Sequence, residues 1–178
     1  MPFTRFKYEG YHITDKQSAH SMINNGMDYG RGDAHNRFGH GIYFFEDEGK
    51  TKWWKTVNAK LKDKECLTIA CVISGHKNQL LDLTKNDQRE LLRELVFELA
   101  GENTDSIPEA HLEAVAIQLL SEMNNVGVVR GIICYGYQKA RETGYIKYGV
   151  IRDDYIIICV KREGFITGMR LDKCEAAG

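Results

Sequence analysis

The stretch FGHGIYFF at residues 38–45 runs from a glycine-rich turn into a short apolar and aromatic segment. Glycine permits either a backbone conformation that other residues rarely adopt or the close approach of another group. Residues 28–41, which include the start of this stretch, contain four glycines and no hydrophobic period, which predicts a loop. We therefore expect a loop that leads into a short strand at residues 41–45. Taken alone, the stretch is also typical of a hairpin turn that feeds a core strand.

The segments on either side predict strands near both ends of the chain and helices between them. A loosely alternating segment indicates a strand at residues 3–12, and a short helix follows between a cap at Thr14 or Asp15 and a stop at Gly26. Further helices are expected at residues 50–61 and, as a pair, within 84–125, where Thr84 with Asp87 and Ser106 with Glu109 resemble capping boxes. Further strands are expected at residues 66–73, 79–83, 128–135, 145–151, 154–160 and 165–170. This order predicts an α+β fold rather than a regularly alternating α/β fold.

The composition limits the class of protein. The 178 residues suit a single domain, 1–178, and 43% of them are hydrophobic, enough for a core. The net charge of −1 argues against a chain held on nucleic acid or on an anionic membrane by bulk charge. No apolar run approaches the roughly 20 residues of a membrane helix, and no apolar segment follows the first basic residue as in a signal peptide. We expect a cytoplasmic protein with no membrane partner.

The five cysteines predict neither a disulfide framework nor a metal site. Their number is odd, and no two have C-x-x-C spacing. Four of them lie in apolar runs, where a thiol acts as a small hydrophobic side chain: Cys66, Cys71, Cys134 and Cys159. We expect reduced thiols in the core and no bound metal.

Four short segments carry residues suited to chemistry. They are YHIT at residues 11–14, FGHGIYF at 38–44, KTKWW at 50–54 and RDDYIII at 152–158. Each has a structural explanation when taken alone: a hydrogen-bonded histidine, a hairpin turn, core or rim aromatic residues, and an acid in a turn before a strand. Their order along the chain is the more informative feature.

Together the four segments resemble the ADP-ribosyltransferase fold of the diphtheria-toxin and poly(ADP-ribose) polymerase type, the H-Y-E class. The order is His-x-Thr at a strand end, a glycine loop, G-x-Y-F, a hydroxyl residue eight positions after the Tyr, an aromatic residue eleven after it, and an acid entering a late strand. The match covers residues 8–61 well and 128–160 loosely. Residues 84–125 lie outside it and are interpreted as a helical insertion.

The resemblance implies a site that binds NAD, as a substrate, between split sheets of mixed and antiparallel strands and breaks its nicotinamide–ribose bond. His12 would hold the adenosine ribose, and Tyr43 and Trp54 would sandwich the nicotinamide, since aromatic faces attract a cationic ring. Asp154 would accept a hydrogen bond from the nicotinamide-ribose 2′-OH as positive charge develops. The remaining binding residues so implied are Ile13 through its backbone, Thr14, Gly41, Thr51 through its hydroxyl, and Arg31 and Arg37 toward the pyrophosphate.

The chain departs from the family's pattern at two positions. Ile13 stands where the family usually has Gly, which puts a bulkier side chain near the nicotinamide. Asp154 stands where Glu is usual and is one methylene shorter, which favours transfer of a single ADP-ribose over elongation. Asp153 is an alternative acid, because only one of two adjacent strand residues faces a given side. Glu142 is a further alternative.

The leading prediction is a mono-ADP-ribosyltransferase of the small bacterial or phage kind that serves as a toxin, effector or defence component, with an antitoxin or immunity protein as an implied partner. Its macromolecular acceptor is a protein or a nucleic acid. Near-zero net charge favours protein, although lysines cluster within residues 52–64, on what is also interpretable as a solvated helix face. Two alternatives stay open: an NAD- or ADP-ribose-binding module without catalysis, and an NAD glycohydrolase that uses water as acceptor.

Overall fold

A computed structural model describes residues 4–30, 36–101, 109–134 and 154–173 of the chain. Within them, strands and helices are combined as in the predicted α+β class. In chain order they are β1 (Arg5–Asp15), α1 (Lys16–Asn25), β2 (Ile42–Phe45), α2 (Gly49–Val57), β3 (Cys66–His76), β4 (Leu80–Asp82), α3 (Asn86–Gly101), α4 (Glu109–Met123), β5 (Val128–Cys134), β6 (Asp154–Val160) and β7 (Ile166–Lys173). Residues 145–151, where the sequence predicts a strand, lie outside the described part.

The strands form one mixed sheet in the order β4-β5-β6-β2-β1-β3-β7. β1 pairs with β3 along its whole length, from Arg5↔His76 to Asp15↔Cys66. It meets β2 at one register pair, Tyr11↔Phe45. The expectation of two split sheets is therefore corrected, because this pair joins the half-sheets β4-β5-β6-β2 and β1-β3-β7. We call the junction between β1 and β2 the seam.

Two apolar clusters cover opposite faces of the sheet. Ile42 and Phe44 of β2 belong to one cluster and Phe45 to the other, as expected for side chains that alternate along a strand. The Phe45 cluster includes Leu92 of α3 and Ile117 of α4. The helices interpreted as an insertion thus supply core packing for one face of the sheet.

Local signals set both ends of α1. Asp15 caps α1 by accepting the Ser18 N–H at 3.0 Å, and α1 ends at Asn25, directly before Gly26, whose φ is +85°. α2 ends at Val57, earlier than predicted, because the backbone is extended at the next residue. The predicted cap at Thr84 is wrong, since its hydroxyl donates to Asp82 at 2.6 Å and α3 begins two residues later.

Three of the predicted core cysteines are buried thiols: Cys66, Cys71 and Cys159. Burial raises the pKa of the Cys71 thiol to about 12 and that of Cys159 to about 11. Both side chains are therefore protonated near neutral pH and pack as small hydrophobic groups. The Cys134 side chain and Cys174 lie outside the described part.

Candidate functional site

Two cavities meet at the seam and share two of the predicted residues, His12 and Tyr43. The larger has a volume of about 730 Å³ and the smaller about 290 Å³. The larger is also lined by Thr14, Gly41, and polar residues of α1. The smaller is lined by Ile13, Arg37, Trp54 and further apolar and aromatic residues. The sequence therefore identified residues that the fold brings to one place.

His12 lies between the cavities with a defined hydrogen bond. Its Nδ1 lies 2.8 Å from the carbonyl oxygen of Tyr43 on β2. A carbonyl can only accept, so Nδ1 carries the hydrogen and Nε2 is the acceptor nitrogen of the neutral ring. Burial lowers the pKa of His12, although the bond to Tyr43 acts in the opposite direction. The neutral ring thus offers an acceptor suited to a ligand hydroxyl.

The Tyr43 side chain is fixed by the glycine turn that precedes it. Its hydroxyl donates to the Gly39 carbonyl at 2.7 Å and accepts the Phe38 N–H at 3.2 Å. One face of its ring is stacked on Phe38, with centroids 6.3 Å apart and planes 10° apart. The turn therefore sets the orientation of the ring that both cavities share.

The smaller cavity has aromatic walls. Phe45 lies at the centre of these walls, with its ring centroid 6.1 Å from that of Trp54 and 5.8 Å from that of Tyr155. Ile13 is buried against Trp54, so the bulky residue at this position supports the wall as well as lining the cavity. Such a pocket suits a planar, electron-poor ring.

The larger cavity is bordered by polar side chains on one face of α1. They recur at helical spacing and are Gln17, Ser18, Ser21 and Asn25. Thr14 adds a hydroxyl at the end of β1. This lining suits a ligand rich in hydroxyl groups.

Gly41 lines the larger cavity and Arg37 lines the smaller one, and neighbouring residues restrict each of them in a different way. Gly41 has a φ of +145°, and a Cβ there would lie 2.5 Å from the Cys159 Sγ. Arg37 donates to Glu113 at 3.1 Å and to the Ile132 carbonyl at 3.0 Å. The predicted contact of Arg37 with a pyrophosphate would compete with both of these bonds.

Thr51 lies beneath the site rather than in its lining. The residue is 1% exposed, its hydroxyl donates to the Glu48 carbonyl at 2.7 Å, and the Thr68 hydroxyl lies 3.5 Å away. Neither cavity includes it among its lining residues. Its predicted bond to a nicotinamide carboxamide would require a shift of the start of α2.

The predicted acids fall at the edge of the described part. Asp154 begins β6, where its backbone pairs with Cys134, and its neighbour Tyr155 lines the smaller cavity. The Asp154 side chain, Asp153 and Glu142 lie outside the described residues, as does Arg31. The choice between Asp153 and Asp154 stays a prediction.

Sequence reasoning missed several lining residues. Tyr155 and Ile157 are alternate residues of β6, and both line the smaller cavity. Because side chains alternate along a strand, the sequence could have predicted that these two share a face. The helical spacing of the polar residues in α1 could likewise have predicted its polar face. Ile133 carries no comparable signal, because its position depends on how β5 pairs with β6.

Comparisons of this chain with profiles of known protein families, with curated proteins and with solved structures each found no match. The resemblance to ADP-ribosyltransferases therefore rests on the order of the motifs in the sequence. Across the described ranges, no helix combines the length and apolar character needed to cross a bilayer. Those same residues contain no group of three or more His, Cys, Asp or Glu side chains placed to hold a metal ion.

Proposed function

We propose that this chain is an NAD-dependent mono-ADP-ribosyltransferase with an ADP-ribosyltransferase-like fold. The observation that carries the proposal is the pair of cavities that share His12 and Tyr43 at the seam. A dinucleotide has a planar cationic base at one end and a hydroxyl-rich nucleoside at the other. An aromatic cavity beside a larger polar one suits those two ends.

At the nicotinamide end, the ring would enter the smaller cavity. Tyr43 and Trp54 would present aromatic faces to it, and the attraction between a cation and an aromatic face would hold it there. At the adenosine end, the His12 Nε2 would accept a hydrogen bond from a ribose hydroxyl. The bond from Nδ1 to Tyr43 keeps the tautomer that this role requires.

In the proposed reaction the bond between the ribose C1′ and the nicotinamide nitrogen breaks, and neutral nicotinamide leaves with the electron pair. The ribose becomes oxocarbenium-like, and a nucleophile of the acceptor then bonds to C1′ and loses its proton. Asp154, or Asp153 as the alternative acid, would stabilise the positive charge by accepting a hydrogen bond from the 2′-OH. A charged group in that position contributes on the order of 3 kcal/mol, or roughly a hundredfold in rate.

Release of nicotinamide from NAD tests the proposal. We expect purified wild-type protein to release it, and Asp154→Asn to do so about a hundredfold more slowly. Asp63→Asn is the matched control, because it removes the same charge from an exposed turn between α2 and β3. Asp153→Asn in the same assay decides between the two adjacent acids.

A second experiment identifies the acceptor. NAD labelled in its adenylate part is incubated with cell lysate, and the molecules that carry the label are then determined. Label on protein or on nucleic acid supports a transferase and names its acceptor class. Label that appears only as free ADP-ribose supports the glycohydrolase alternative. Binding of NAD with no release of nicotinamide at any concentration supports a binding module instead, and failure to bind NAD overturns the proposal.

A further inference from the structure

Three successive carbonyl groups of the glycine turn accept hydrogen bonds from two side chains. Lys161, the residue after β6, donates from Nζ to the Phe38 carbonyl at 2.6 Å and to the His40 carbonyl at 3.1 Å. The Tyr43 hydroxyl donates to the Gly39 carbonyl between them. The backbone of the turn is therefore held at each of these peptide groups.

The same turn lies against α4. The Lys161 Nζ also lies 3.4 Å from Oε1 of Gln118 on that helix. Arg37, at the start of the turn, pairs with Glu113, which lies on the same helix five residues before Gln118. A Cβ added to Gly39 would lie 3.7 Å from the Ala114 carbonyl oxygen, so the turn and the helix are close.

Lys161 makes charge-assisted hydrogen bonds, because its donor is an ammonium group. Hydrogen bonds from a cation are stronger than those between neutral groups. Burial lowers the pKa of Lys161, and the negative charge of Glu122 on α4 acts against that shift. Gly39 has a φ of +71°, a backbone conformation that glycine adopts at little cost. The turn thus has an uncommon shape that a partly buried cation holds in place.

We propose that Lys161 is a positioning residue that couples α4 to the ligand site. By holding residues 38–41 against α4, it fixes the Tyr43 hydroxyl and with it the ring that separates the two cavities. The effect on NAD rests on the proposed function, whereas the effect on the turn rests on the contacts alone.

Hydrogen exchange of the backbone amides tests the effect on the turn. Lys161→Met keeps most of the aliphatic stem and removes the donors, so the Phe38 and Gly39 amides should exchange at least about tenfold faster, while those of β1 and β3 keep their wild-type rates. Lys161→Arg retains charge and donors and should restore most of the protection. Lys62→Met, on an exposed turn, is the matched control and should change neither region.

Gln118→Ala removes the contact on α4 and leaves Lys161 in place, so it carries the test if Lys161→Met does not fold. We expect the turn to exchange faster in this variant as well, though by less than in Lys161→Met. Wild-type exchange of the turn in every variant that folds overturns the proposal.

Kinetics extend the test to the proposed function. We expect Lys161→Met to raise the KM for NAD about tenfold with a smaller change in kcat, since a displaced turn weakens binding of the ground state. An unchanged KM alongside faster exchange overturns the coupling to the site. A wild-type protein that does not use NAD would contradict the proposed function, while the exchange experiment would still decide the role of Lys161 in the turn.

Discussion

Gly41 lies where the glycine turn meets β2, in a space that admits no side chain. A Cβ at this position would lie 2.5 Å from the Cys159 Sγ and 2.8 Å from the Val160 carbonyl oxygen. Its φ of +145° is also a conformation that other residues rarely adopt. The glycine is therefore required by the close approach of β6, whatever ligand the adjoining cavity binds.

We expect Gly41→Ala to lower the free energy of unfolding by about 2 kcal/mol or more, because the strained backbone and the contact with Cys159 add together. Urea denaturation measures this change. Gly101→Ala is the control, since Gly101 ends α3 and no neighbouring atom of the described residues would come within 4 Å of a Cβ there. For this control we expect no loss and a gain of up to about 1 kcal/mol. Equal effects of the two substitutions would contradict this account of Gly41.

His12 predicts how stability depends on pH. Burial lowers its pKa in the folded chain below the ordinary value of 6.5, so the unfolded chain binds more protons in the window between those two values. Stability should therefore be lost as the pH falls below about 6.5. His12→Gln cannot titrate and should flatten the decline in free energy of unfolding between about pH 7 and pH 5. Identical slopes for the two proteins would show that His12 does not contribute.

At the scale of elements, a partly buried ionic network centred on Arg130 links β5 to β4 and to the end of β2. Arg130 of β5 pairs with Glu46, which follows β2, at 2.9 Å and with Asp82 of β4 at 3.2 Å. Its guanidinium also lies 4.8 Å from the centroid of the Tyr8 ring on β1. The Arg130 side chain is 14% exposed, so solvent screens these interactions only weakly. One cation therefore holds two carboxylates within the sheet.

Arg130→Met should lower the free energy of unfolding by about 3 kcal/mol, because two carboxylates would remain without their cation. Arg93→Met is the matched control. Arg93 pairs with Glu90 on the surface of α3, where its side chain is 70% exposed, and such pairs contribute little. Thermal and urea denaturation of both variants measure the difference. A loss no larger than that in Arg93→Met would mean that the network adds no net stability.

For the molecule as a whole, local signals allowed much of the fold to be predicted. Capping residues and a glycine stop defined α1, and the apolar run at β3 predicted a buried strand that the structure extends to His76. The Thr84 cap failed because the Asp82 carboxylate, two residues away, binds the same hydroxyl. Local sequence does not specify which of several nearby acceptors a hydroxyl takes.

The arrangement of the site was only partly predictable. His12, Tyr43 and Trp54 could be grouped because the order of the motifs resembles a known family, and the fold does bring them to adjoining cavities. The bonds of Arg37 to Glu113 and of Lys161 to the turn could not be predicted. Both join residues more than 70 positions apart: the first depends on how α4 packs, and the second on the pairing of β6 with β2.

The seam has a consequence for the lifetime of the protein. Backbone pairing joins the two half-sheets at one register pair, so side chains that span the seam, among them Phe6, Phe44 and Ile73 of one apolar cluster, also hold them together; proteases cleave chains that open at such a place. A dinucleotide bound in both cavities would stabilise the contact between the half-sheets. Protein molecules that hold it would then be degraded more slowly than empty ones. The supply of that nucleotide in the cell would then govern how many copies survive.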